Sequence, residues 1–278
     1  MLMIRQEQMA VFEQAVIKNF ASRVQEHLQK FFPEHCKVLG VDGTRVVIRL
    51  SLERAEHYRL VSERDIYLYV SLMFLLGSHF DEDPQLPWVG ELLKDQAPET
   101  ALSRMTPIYD QAMPLLDSMV GPENEYLRQT LGLFQQPQVF ESLPEAPSLG
   151  HRLLLLLQAL APQKYQALGD DILRNLVRHG YAAAKQHDLT TERGAMIYLS
   201  LAFLLGGGFD CDPLYPWASA ILTHPDLGDP KQKSEALYAA ARKHLAKCPP
   251  GCSQRADLTA DLEIRPTKPY RRIIEKAD

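Results

Sequence analysis

The chain is poor in cysteine, has no excess of basic charge and contains no long apolar run. Four cysteines in 278 residues (Cys36, Cys211, Cys248, Cys252) are too few for a disulfide framework. Lys and Arg total 30 against 35 Asp and Glu, a formal net charge of −5. A general nucleic-acid binder would carry the opposite balance. The most apolar stretches, YVSLMFLLG and LLLLLQALA, are about half of what a bilayer span needs. The opening MLMIRQEQMAVFEQAV lacks the short apolar core and small-residue cleavage site of a secretory signal. These absences together predict a soluble cytoplasmic protein, with neither nucleic acid nor membrane as partner. Catalytic signatures are missing too. There is no G-x-S-x-G, no H-E-x-x-H, and no carboxylate pair repeated at helical spacing.

What is present is a duplication. SERDIYLYVSLMFLLGSHFDEDPQLPWVGELL (62–93) recurs as TERGAMIYLSLAFLLGGGFDCDPLYPWASAIL (191–222), at a gapless offset of 191 − 62 = 129, with 16 of 32 positions identical. The same offset aligns FFPEHCKVLG (31–40) with LAPQKYQALG (160–169), and TRVVIRLSLERAEHYRL (44–60) with LRNLVRHGYAAAKQHDL (173–189). Hydrophobic residues at 46% and charged residues at 23% are those of a globular chain with a sizeable core.

The pattern predicts an all-α fold: two tandem homologous helical subdomains, an N-terminal amphipathic helix and an extended C-terminal tail. Residues 4–32 lack Pro and Gly and place Met9, Phe12, Val16, Phe20, Val24, Leu28 and Phe31 on one helical face. Residues 44–60 hold Val46, Val47 and Ile48 and read alone as a strand, but the aligned copy holds Ala182, Ala183 and Ala184, so both are assigned as helix. Ser62 and Thr191 are N-caps of two helices that are apolar almost all round and therefore buried. Gly77 and Gly206 stop them. Pro87 and Pro216 open the next short helices. The two tryptophans, Trp88 and Trp217, occupy one place in the two copies and each should pack on its own repeat. The expected division is 1–95 (first repeat), 96–150 (helical connector, broken near Pro107 and Pro114, closing in a Pro-rich linker), 151–248 (second repeat) and 249–278 (extended tail).

The candidate site is the repeated F-D-x-D-P loop. Asp81 and Asp83, and Asp210 and Asp212, are hard oxygen ligands that would suit a divalent cation. The further oxygen ligands and closing Glu of a calcium loop are missing, and Asp side chains also cap turns, so the loops are read as structural. The motif set is Arg64, Gly77, Phe80, Asp81, Asp83, Pro84 and Trp88, repeated as Arg193, Gly206, Phe209, Asp210, Asp212, Pro213 and Trp217. Arg64 and Arg193 are candidates to brace the Asp pairs. His57, His79 and His187 are not shared between aligned positions and read as surface histidines. Cys248 and Cys252, even with His244, fall short of the four ligands of structural zinc. Gly206-Gly207-Gly208 follows a helix and lacks the G-K-[ST] ending of a phosphate loop. No catalytic residue, cofactor or metal is assigned.

With the FLLG–FDxDPxxPW signature and the stretch Met3 to Glu13, the chain resembles a family of bacterial proteins encoded beside type VI secretion spike and effector genes. The resemblance spans most of the chain, though not 96–150 or the tail. It implies a cytosolic accessory, a co-chaperone or adaptor whose partner is an effector, an effector adaptor chaperone or a spike protein. It supplies no catalytic residues. The alternatives are an immunity protein blocking a cognate toxin, and a metal-dependent enzyme using the Asp loops. The amphipathic first helix would also allow a homodimer.

Overall fold

The computed structural model describes residues 6–94, 103–247 and 255–263, with side chains from residue 18 in the first helix and from 258 in the last. Among them are thirteen α-helices and no strand. The helices are α1 (Gln6–Phe31), α2 (Pro33–His57), α3 (Glu63–Leu76), α4 (Pro87–Lys94), α5 (Thr106–Val120), α6 (Glu125–Phe134) and α7 (Leu149–Leu160). There follow α8 (Pro162–Leu168), α9 (Asp170–Gln186), α10 (Glu192–Leu205), α11 (Pro216–Leu222), α12 (Pro230–Leu245) and α13 (Arg255–Glu263).

The bounds of the two most apolar helices keep the sequence offset: 63 + 129 = 192 and 76 + 129 = 205. Each is fixed at both ends by local chemistry. The Ser62 hydroxyl accepts from the Asp65 N–H and the Thr191 hydroxyl from the Gly194 N–H, so each cap satisfies one free donor of its first turn. Gly77 (φ 101°) and Gly206 (φ 107°) close the helices in backbone that other residues rarely adopt. Every residue from Asp65 to Leu75 is buried, as is nearly every one from Gly194 to Leu205. α3 packs against α2, α5 and α13, while α10 packs against α7, α9 and α12. One continuous apolar cluster runs through both sets.

α2 bends at Gly40 (φ 69°), and its aligned counterpart is two helices, α8 and α9, parted by Gly169 (φ 81°). Residues 44–57 are helical, as the Ala-rich copy requires. Three expectations differ from the structure. Pro114 lies inside α5 without breaking it. The stretch 135–148 is packed, not a free linker: Phe140 is 3% exposed and stands edge-on to Phe134 and Tyr238. The tail holds a helix, α13, whose Leu258 and Leu262 are buried in the core. Its Thr259 bonds Tyr109 at 2.9 Å, and its Asp261 meets His27 at 3.4 Å and Lys30 at 3.2 Å. These apolar anchors are too sparse in sequence to register as a periodic pattern. The side chains of Met9, Phe12 and Val16, and residues Cys248 and Cys252, lie outside what is described.

Candidate functional site

The two F-D-x-D-P loops meet. Because α3 and α10 end in glycine at the same place, their C-termini approach closely. A Cβ on Gly77 would stand 2.7 Å from the Leu205 carbonyl oxygen, and one on Gly206 would stand 3.1 Å from the Leu76 carbonyl oxygen. The second Asp of each loop then bridges the two loops. One oxygen of Asp83 accepts from the Gln85 N–H at 2.8 Å, folding its own turn, and the other accepts from the Gly207 N–H at 2.8 Å. Asp212 does the same in reverse, with the Leu214 N–H at 2.8 Å and the Ser78 N–H at 2.7 Å. Position 207 is 78 + 129, so the exchange is reciprocal. Both carboxylates are buried, and burial pushes both above the usual carboxylate range against the pull of these donors.

The first Asp of each loop faces its own half. Asp81 accepts from the Tyr58 hydroxyl at 2.8 Å and sits 3.3 Å from Arg54, which also pairs with Glu82 at 2.8 Å. Asp210 accepts from the Tyr198 hydroxyl at 2.8 Å and meets His187 Nε2 at 2.9 Å. Burial raises the Asp210 carboxyl, but the hydrogen bonds from His187 and Tyr198 outweigh it and hold it below its ordinary value. Burial, reinforced by the adjacent carboxylates, pushes the Tyr58 and Tyr198 hydroxyls upward, so both remain donors.

His187 is therefore no free surface histidine. It stands at 58 + 129, opposite the same Asp that Tyr58 serves in the first copy. The signal was the alignment itself, read for role and not for identity. Arg64 and Arg193 do not brace the Asp pairs. They sit at the starts of α3 and α10, a 14-residue helix away from loops that follow the ends, or about 20 Å. Arg193 instead pairs with Glu235 at 2.5 Å and stacks over Phe140 and Tyr238. The bracing arginine is Arg54, which the second copy lacks (Ala183).

Phe80 and Phe209 are buried against Tyr69 and Tyr198, with ring centroids 5.0 and 4.9 Å apart. Trp88 and Trp217 are half-buried against the core, Trp217 beside His244 at 5.7 Å. Pro84 packs where Gly207 must lack a Cβ (2.7 Å), and Gly208 leaves room for His79 (3.0 Å). Gly207 and Gly208 are thus small because the other loop leans on them. Pro213 lies inside the matching turn, which the Tyr215 N–H closes on the Asp212 carbonyl at 2.9 Å. Within each loop the two Asp residues serve different donors, and among the described residues no three His, Cys, Asp or Glu side chains converge as metal ligands would.

Comparison with known proteins adds no neighbour: no family model, curated protein or solved structure matches the chain. Among the described residues no helix is long and apolar enough to cross a membrane.

Proposed function

We propose that the protein is a non-catalytic, protein-binding scaffold made of two copies of one helical unit, related by a pseudo-twofold axis through the paired Asp loops. The reading extends to a cytosolic co-chaperone or adaptor that helps an effector, or the chaperone of an effector, load onto a type VI secretion spike. The observation that carries the scaffold reading is how the shared polar groups are used. Asp83 and Asp212 use both carboxylate oxygens on backbone N–H groups to join the halves, while Asp81 and Asp210 accept side-chain hydroxyls that anchor each loop to its own helices. A residue whose acceptor sites are filled by backbone N–H groups in a buried junction is a fastener. The secretion role rests on the resemblance at Met3–Glu13 and FDxDPxxPW alone.

The test is affinity capture of the tagged, full-length protein from its native host under mild conditions. The expected co-purifying species is an effector, an effector adaptor or a spike protein, together with loss of effector export when the gene is deleted. Normal export from the deletion strain, with none of these proteins captured, would overturn the secretion role. Protection of a host against a co-expressed toxin would instead favour neutralisation.

A further inference from the structure

Most residues that recur at the 129 offset are buried and structural, but a few are exposed in both copies, and among these is a pair of arginines. Arg45 and Arg49 on α2 recur as Arg174 and Arg178 on α9, and all four are exposed. Their partners do not explain them. Arg45 meets Asp42 at 3.3 Å and Arg174 meets Asp170 at 3.8 Å, both along one exposed helix, where such pairs contribute a few tenths of a kcal/mol. Arg178 donates to the neutral Asn175 side chain at 2.8 Å.

In the second half these two arginines edge a groove. It lies between α7 and α9, with a volume of about 410 Å³. Leu153, Leu154, Val177 and Tyr181 form an apolar floor, and Arg174, Arg178 and His151 stand at the rim. The groove opens where α7 starts. Leu149 aligns with Phe20 (149 − 129 = 20), yet α1 runs on upstream from that point to Gln6, whereas α7 does not. Arg152, on the same helix, is engaged by Glu192 at 3.0 Å.

We propose that this groove is the partner-binding surface, and that it takes a short protein segment carrying leucine- or phenylalanine-like side chains next to carboxylates. The apolar floor holds the hydrocarbon, and Arg174 and Arg178, one helical turn apart, take the carboxylates in charge-assisted hydrogen bonds. Groove and rim have complementary tasks: area supplies affinity, charge supplies orientation and selection. The chain's overall charge of −5 makes the choice sharper, because an acidic segment is repelled elsewhere and held only where the basic pair stands. This inference rests on the scaffold reading and names its binding face.

The test uses the full-length protein and a panel of immobilised twelve-residue peptides in which leucine and phenylalanine alternate with glutamate. A matched panel replaces glutamate by glutamine, and sodium decanoate is the non-peptide competitor. Retention on the glutamate panel is expected, with at least tenfold weaker binding to the glutamine panel and further weakening as salt is raised. The double variant R174A/R178A should lose binding at least tenfold at an unchanged Tm, while R45A/R49A, on the other half, should bind as the parent does. No retention on the glutamate panel overturns the proposal. Equal binding to the two panels does so too, as does a double variant that binds normally. Decanoate displacing the peptides at stoichiometric concentration would mark a small-acid pocket instead, and would also overturn it. The scaffold reading fails separately. If native-host capture still recovers a partner through R174A/R178A, the scaffold stands and this groove is not its face. If peptides bind but no host protein is recovered, the groove stands without the assigned role.

Discussion

At the scale of single residues, the two loops divide labour between a joining Asp and an anchoring Asp. Removing the joining carboxylate leaves two N–H groups of the junction without an acceptor. For Asp83→Ala these are Gly207 and Gln85, and for Asp212→Ala they are Ser78 and Leu214. An orphaned buried donor costs about 1–3 kcal/mol, so each substitution should lower stability by roughly 2–5 kcal/mol in a urea melt. Asp81→Ala should cost less, because Arg54 keeps Glu82 as partner. A metal site would respond otherwise, with stability that depends on added cation, and elemental analysis of the purified protein checks that directly. Glycine gives a second contrast. Gly40 and Gly77 both have positive φ, but a Cβ at Gly40 meets nothing within 4 Å, whereas one at Gly77 meets the Leu205 carbonyl at 2.7 Å. Gly40→Ala should therefore cost only the backbone term, about 1–3 kcal/mol. Gly77→Ala must also push the two helix ends apart and should cost several times as much, read as the difference in denaturation midpoints.

At the scale of elements, the helices most legible in the sequence were those with their own punctuation. Ser62 and Thr191 as caps, Gly77 and Gly206 as stops, and Pro87 and Pro216 as openers are local signals, and local chemistry decides them. The junction was not legible. Nothing in F-D-x-D-P says that its second Asp reaches residues 124 and 134 positions away. Long-range pairing leaves a trace in one sequence only when both copies keep the same partner. Here one copy answers with Ser78 and the other with Gly207, and in both the donor is the backbone. The substitution of Tyr58 by His187 hid the anchoring contact in a similar way, since a phenol and an imidazole fill one role without sharing identity. α13 was hidden for a different reason: its anchors are just Leu258 and Leu262, and its attachment is set by partners on α1 and α5. That makes it testable. Truncation before Arg255 should uncover the buried His27 and the faces of α1, α3 and α5 beneath. The expected reading is a lower Tm, with faster amide exchange in α1 and α3 and little change in α10 and α12.

At the scale of the whole molecule, two buried histidines tie stability to pH. His35 stacks near Phe32 and Phe74, and His244 stands edge-on to Tyr215 with its ring 5.7 Å from Trp217. Both are lowered from 6.5 to about 4, by burial at each and, at His35, also by the proximity of His244. A folded-state value below the unfolded one means that the unfolded chain takes up protons first. The stability these rings contribute is therefore complete above pH 6.5 and drains away as pH falls from 6.5 toward 4. The full loss is on the order of a few kcal/mol between the two sites. Asp83 and Asp212 act with the opposite sign, because their raised values favour the protonated carboxyl in the folded chain and offset part of the loss. The parent melt against pH thus mixes two effects. Replacing the rings separates them: His35→Phe with His244→Phe keeps an aromatic ring at each site and removes the titration, and any packing cost of the larger ring is independent of pH. The Tm gap between parent and double variant should be flat above pH 7 and move in the variant's favour below 6.5, levelling near pH 4. A gap that stays constant from pH 7 to 4 would mean that neither ring is held neutral by the fold.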